Sequence, residues 1–163
     1  MTEDEIAGDD ANYKMNPPLR SAADVEALVD GLADGTMEAI STDHAPHGEE
    51  EKKQSIAKAP FGIVGSETAY ALSVTHLVKT GKLTPLQLVE KMSTNPCRIL
   101  SVPGGTLSVG APADITIADM DSEYVIDKNT FLSKGKNTPF DRAKVNGRVY
   151  YTIVGGNIVY QYE

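Results

Sequence analysis

Residues 41–47 read "STDHAPH", which puts Asp43 beside His44 and four residues before His47 in a chain of 163 residues with three histidines. A carboxylate and imidazoles in one short turn can carry a proton, ligate a metal ion or contact an anionic substrate. An aspartate lifted off the end of an apolar strand also has the address at which β/α-barrel enzymes keep their catalytic groups. The same spacing suits an aspartate that caps a helix, with two solvated imidazoles beside it, so the residues alone leave both readings open.

Half of a β/α unit would position these groups. The stretch "SAADVEALVDGLADG" (21–35) carries Val25, Leu28, Val29 and Leu32 at helical spacing, with Ser21 and Asp24 as a capping box and Gly35 as a stop. "MEAIST" (37–42) is apolar, of strand length, and delivers Asp43 to a long polar loop, residues 44–65. A second helix follows in "SETAYALSVTHLVKTG" (66–81), with Tyr70, Val74, Leu77 and Val78 on one side. "TPLQLVEKM" (84–92) opens a third helix, with Thr84 as cap, Pro85 in the first turn and Gln87 closing a capping box; "TNPCRIL" (94–100) repeats that grammar briefly. Residues 1–20 are polar, end in "NPPLR" and predict an extended loop.

From Val102 onward the helical period stops. Short β-type runs appear between turn residues: "GTLSVG" (105–110), "ADITIAD" (113–119), "YVI" (124–126) and "VYYTIVGGNIVYQYE" (149–163), the last with a hairpin signal at Gly155 and Gly156. The organisation expected is an α/β segment over residues 1–100 and an all-β segment over residues 101–163.

A net charge of −8, with no cluster among the 15 Lys and Arg residues, argues against nucleic-acid binding, which needs a basic field. No stretch has the length of a transmembrane helix, and the acidic start "MTEDEIAGDD" has the wrong charge for a targeting peptide. The single Cys97 cannot form an internal disulfide and reads as core filler. A soluble, cytoplasmic protein is expected. His76 falls inside a helix and reads as structural, and Glu49, Glu50 and Glu51 followed by Lys52 and Lys53 read as a solvated loop or helix end.

Several motifs in order, "NPPLR", "STDHAPH", "FGIVGSE", "TNPCRIL", the pattern G-x-L-x-x-G-x-x-A-D-I from Gly105 to Ile115, and "NTPF" at 137–140, resemble the C-terminal part of the dihydroorotases of the amidohydrolase superfamily. The likeness runs from residue 1 to residue 163. It implies an α/β fold: the last strand and helices of a TIM-type β/α barrel, followed by the C-terminal strands of a small β-sandwich domain. The activity implied is the zinc-dependent interconversion of N-carbamoyl-L-aspartate and dihydroorotate in pyrimidine biosynthesis.

By position, the resemblance makes Asp43 both a metal ligand and the group that moves the proton between the nucleophile and the ring amide. Asn16 and His47 match substrate contacts, Phe61 and Gly62 match a backbone pair that closes over the ligand, and His44 is implied to orient Asp43 or the turn. The plainer alternatives are a turn-capping Asn16, a solvated His47 and a core Phe61. The family's other metal ligands, an H-x-H pair, a bridging residue and two later histidines, have no counterpart in these residues. One or two zinc ions are therefore expected in a complete enzyme and none on this chain alone, with the N-terminal part of the barrel as the missing partner. A homo-oligomer or an association with aspartate carbamoyltransferase is a further expectation. The alternative function is a non-catalytic scaffold that binds that transcarbamoylase; the retained "STDHAPH" and "NPPLR" favour the enzyme.

Overall fold

The computed structural model describes residues 1–163. Two compact units emerge, each assembled from three stretches of chain. The first comprises Met1–Asp30, Thr42–Tyr70 and Val125–Lys144; the second comprises Gly31–Ser41, Ala71–Tyr124 and Val145–Glu163.

The helical signals near caps hold. Helix α1 (Ala22–Asp34) starts where Ser21 Oγ accepts the Asp24 N–H and Asp24 Oδ2 accepts the Ser21 N–H, both at 3.2 Å. None of its residues is buried, and Leu28 is exposed. A single turn, α2 (Glu49–Lys52), follows the "STDHAPH" loop. α3 (Ala69–Ser73) continues through a π-type turn, Val74–Val78. α4 (Pro85–Val89) is capped by the Thr84–Gln87 box, a feature that contributes about 1 kcal/mol.

Two helices were expected between residues 84 and 100, and one helical run is found. α4 passes through a π-type turn (Glu90–Thr94) directly into α5 (Asn95–Leu100). Pro96 explains the local widening: it lacks an N–H to bond four residues back, and its ring crowds the carbonyl there.

The sheet departs from expectation in the same way. "ADITIAD" from Ile115 onward and "YVI" up to Val125 lie in one strand, β1 (Ile115–Val125), because the intervening residues stay extended. β2 (Lys144–Val154) and β3 (Asn157–Gln161) form the expected antiparallel hairpin, and the order is β1-β2-β3. Gly155 and Gly156 both take positive φ, +55° and +81°, as a two-residue hairpin turn of matching twist requires. "GTLSVG" forms no strand, and neither does "MEAIST". A barrel strand needs hydrogen-bonded neighbours, and residues 37–42 are instead tied to the helical run: Ile40 N–H donates to Lys91 O at 3.0 Å, Lys91 Nζ to Met37 O at 2.6 Å, and Asn95 Nδ2 to Glu38 O at 2.8 Å.

Each unit has its own small core. In the first, Ala11, Ala59, Val64, Ile126 and Phe131 are buried; in the second, Ala71, Val74, Leu83, Leu88 and Val145 are. Near the sheet's end Arg148 lies between the rings of Tyr124 and Tyr162, at 4.2 and 4.3 Å from their centroids.

Candidate active site

Every residue singled out as a candidate belongs to the first unit. The "STDHAPH" loop is paired with the "FGIVG" loop rather than with a strand. Ala45 N–H donates to Ile63 O at 2.9 Å, and glycines allow the two backbones to close on each other. A Cβ on Gly62 (φ +118°) would collide with the Ala45 methyl, and one on Gly65 would lie 3.0 Å from Thr42 O.

Asp43 sits at the exposed crest of this loop with φ +42°, a left-handed conformation that a short polar side chain tolerates and a branched one does not. Its carboxylate is engaged in no hydrogen bond or ion pair with the rest of the chain. A strained turn that projects a free carboxylate is a common way to hold a reactive group out of the fold.

His44 turns away from the crest. Its Nδ1 accepts the N–H groups of Gly65 and Ser66 at 3.1 and 3.2 Å, just ahead of α3, so the ring is unprotonated at Nδ1 and holds the second loop against the first. His47 points back along the loop pair: its Nε2 lies 2.8 Å from Phe61 O, and its backbone N–H donates to Asn137 Oδ1 at 2.9 Å.

Phe61 is 57% exposed, with Lys14 Nζ 4.5 Å above its ring, and so is no core residue. Gly62 is held on both sides of its peptide unit. Its N–H donates to Lys14 O at 3.0 Å, and its carbonyl accepts from Lys52 Nζ at 3.0 Å and Asn137 Nδ2 at 3.1 Å. Asn16 is exposed two residues beyond Lys14, before a cis peptide bond to Pro17. A hydrogen bond thus links His47 to Phe61 directly, Asn137 bridges His47 to Gly62, and Asn16 is reached only through its near neighbour Lys14.

Three residues that carry this arrangement were not singled out from the sequence. Lys52, read as part of a solvated charge run, is buried and donates to the carbonyls of Lys14, Pro60 and Gly62 at 3.4, 3.1 and 3.0 Å. Burial pushes its ammonium below the ordinary lysine value and the Lys14 charge adds to that, against an opposing pull from Asp10. Gly135 lies on the Pro46–His47 backbone so closely that a Cβ there would stand 2.8 Å from His47 N and O. Asn137 stands in the noted "NTPF" motif, the one sequence signal that pointed near it.

Beside His47 opens a cleft of about 360 Å³ whose lining includes Lys52, Lys134, Lys136 and Asn137. Lys136 is spent on the Phe131 carbonyl, and the further lining residues Lys53 and Lys128 are paired with Glu49 and Glu50, and with Asp141. Nowhere in the chain do three or more His, Cys, Asp or Glu side chains converge as a metal ion would need. Asp43 alone does not make a zinc site, so the residues present do not fit a resident metal by themselves.

Residues 10–159 match the Amidohydrolase family. The chain is 55% identical over 161 residues to the dihydroorotase of Bacillus licheniformis and 54% identical over 161 residues to that of Pelotomaculum thermopropionicum, covering 99% of this chain and 38% of each relative. It spans well under half the length of these proteins. Among solved structures it resembles the L-hydantoinase (dihydropyrimidinase) from Arthrobacter aurescens, with a TM-score of 0.88 and 33% identity over 99% of this chain and 37% of that one. The dihydropyrimidinase from Brevibacillus agri gives a TM-score of 0.85 and 26% identity over 93% and 34%. The fold is α/β, part of the TIM-barrel amidohydrolase architecture. No helix is long and apolar enough to cross a membrane.

Proposed function

The chain belongs to the amidohydrolase family, and from that premise we propose that it is the C-terminal part of a dihydroorotase. The reaction is the reversible hydrolysis of the ring amide of (S)-dihydroorotate to N-carbamoyl-L-aspartate in pyrimidine biosynthesis, in the cytoplasm. Residues 1–100 supply the end of the barrel and residues 101–163 the end of an accessory β-domain.

Family membership carries a metal requirement, and we assign zinc, one or two ions in the complete enzyme. Asp43 contributes one ligand, and the others come from outside these 163 residues. The chain's own chemistry is proton transfer and binding. As water adds to the ring carbonyl carbon and the C–N bond breaks, the Asp43 carboxylate takes the proton that water loses and delivers it to the departing nitrogen. His47 and Asn16 hold the substrate carboxylate, the Phe61–Gly62 peptide borders the ring, and His44 fixes the turn beneath Asp43 by gripping Gly65 and Ser66.

The observation that carries this reading is the closed pair of loops that sets His47 against Phe61 and leaves the Asp43 carboxylate free. Fifty-five per cent identity to a dihydroorotase across the same residues supports it. The test joins this chain in frame behind the portion of the Bacillus licheniformis relative that it does not span. The chimera is expected to hold zinc and to hydrolyse dihydroorotate. A zinc-loaded chimera that cleaves hydantoin or dihydrouracil but not dihydroorotate would move the assignment to the substrate class of the structural neighbours.

A further inference from the structure

We propose that Asn137 is a positioning residue for the ligand-binding surface formed by His47, Phe61 and Gly62; the inference rests on the dihydroorotase reading and names a residue outside the set derived above. Asn137 is only 6% exposed. Its carboxamide uses both donors and its acceptor on the two loops: Nδ2 donates to Ala45 O at 3.2 Å and to Gly62 O at 3.1 Å, while Oδ1 accepts the His47 N–H at 2.9 Å. Its own carbonyl accepts the Val64 N–H at 2.9 Å. The partners lie 75 to 92 residues away in sequence, so this one side chain substitutes for the strand ladder that the loops lack.

The chemistry of the contact is selective. Two carbonyl oxygens and one amide N–H must be met by two donors and one acceptor on a single short planar group, and among the side chains only a primary amide offers that. Aspartate has the shape of asparagine but would turn an oxygen towards the carbonyls of Ala45 and Gly62. The segment around Asn137 is itself pressed against the site, since Gly135 has no room for a Cβ beside His47. A hydrogen bond from His47 to Phe61 closes the loop on its other side. Asn137 therefore sets how far His47 stands from the Phe61–Gly62 peptide, a distance on which ligand binding depends while proton transfer at Asp43 does not.

The test uses the chimera described above with Asn137→Asp and Asn137→Ala, active sites counted by zinc content and fold checked by thermal unfolding. KM for dihydroorotate is expected to rise by about tenfold or more, with kcat per active site within about threefold. Hydrogen exchange at the His47 amide is expected to accelerate in both variants. An Asn137→Asp chimera with unchanged KM and unchanged His47 exchange overturns the proposal, as does a loss of activity that is fully accounted for by a smaller folded fraction with KM unchanged. Should the unaltered chimera bind zinc and fail to turn over dihydroorotate, the dihydroorotase reading falls by itself. The exchange at His47 and Gly62 then still decides whether Asn137 holds the two loops.

Discussion

His47 donates from Nε2 to the carbonyl oxygen of Phe61 at 2.8 Å. A carbonyl can only accept, so the proton on Nε2 is fixed by geometry, and the second ring nitrogen faces Glu51 Oε2 at 3.9 Å. In the proposed reading, a substrate carboxylate at His47 shares the Nε2 proton with the Phe61 carbonyl. Binding and loop closure are linked at this imidazole in that reading.

Removing the imidazole separates the two. In the complete enzyme His47→Ala is expected to raise KM for dihydroorotate by about ten- to a hundredfold, the worth of a hydrogen bond to a charged group, while zinc content stays as it was. Steady-state kinetics with elemental analysis checks this. An unchanged KM would leave His47 with a loop-closing role only.

Asp43 should behave in the opposite way. Asp43→Asn keeps the size and tolerates the positive φ, but it abolishes the proton acceptor, so kcat is expected to fall by about a thousandfold or more. Asp43→Val adds a backbone penalty because a branched side chain resists φ +42°, and its melting temperature should drop below that of the Asn variant. Near-normal turnover in Asp43→Asn would remove Asp43 from the chemistry.

Lys52 links pH to the stability of the loops. Its pKa is depressed, chiefly by burial, so between that lowered value and the ordinary lysine value of 10.5 the unfolded chain binds more protons than the folded one. Stability from this group therefore rises with pH across that window, and the cost of the buried charge is fully present below it. Lys52→Met removes this slope and leaves the Lys14 and Pro60 carbonyls without this donor, while the Gly62 carbonyl keeps Asn137 Nδ2, a loss of about 2 to 3 kcal/mol. The urea midpoints of the two proteins are expected to differ at pH 8 by less than the hydrogen-bond loss alone would dictate, and to diverge as pH rises towards about 11. Parallel curves would contradict the assigned shift.

What was legible in the sequence is what is decided locally. The Ser21–Asp24 and Thr84–Gln87 boxes announced α1 and α4, and Gly155–Gly156 announced the β2–β3 turn, because each signal and its consequence lie within four residues. Residues 37–42 have the composition of a strand, but a strand is a relation to a neighbour, and their partners here are Lys91 and Asn95. The merging of α4 with α5 hid behind Pro96, whose local rule is to break a helix and whose actual effect is a π-type turn. At the site, "STDHAPH" drew attention through residue type, while Asn137 and Lys52 act through contacts to loops distant in sequence or through burial within a charged run. Neither periodicity nor spacing encodes such contacts.

Leu100, Leu107 and Leu132 are 70%, 81% and 88% exposed, every residue of β3 is exposed, and α1 has no buried residue. Large apolar side chains in water are free-energy costs that folded domains normally offset by covering them, and an uncovered edge strand is a template for association. The isolated chain is therefore expected to be oligomeric or aggregation-prone and to unfold over a broad range, while the chimera with the remaining portion of the Bacillus licheniformis relative unfolds sharply. Light scattering and calorimetry on the two proteins at equal concentration decide it. If the isolated chain is a monodisperse monomer with a sharp transition that the added portion does not shift, the exposed apolar surface has no cover to gain and the partial-barrel reading fails.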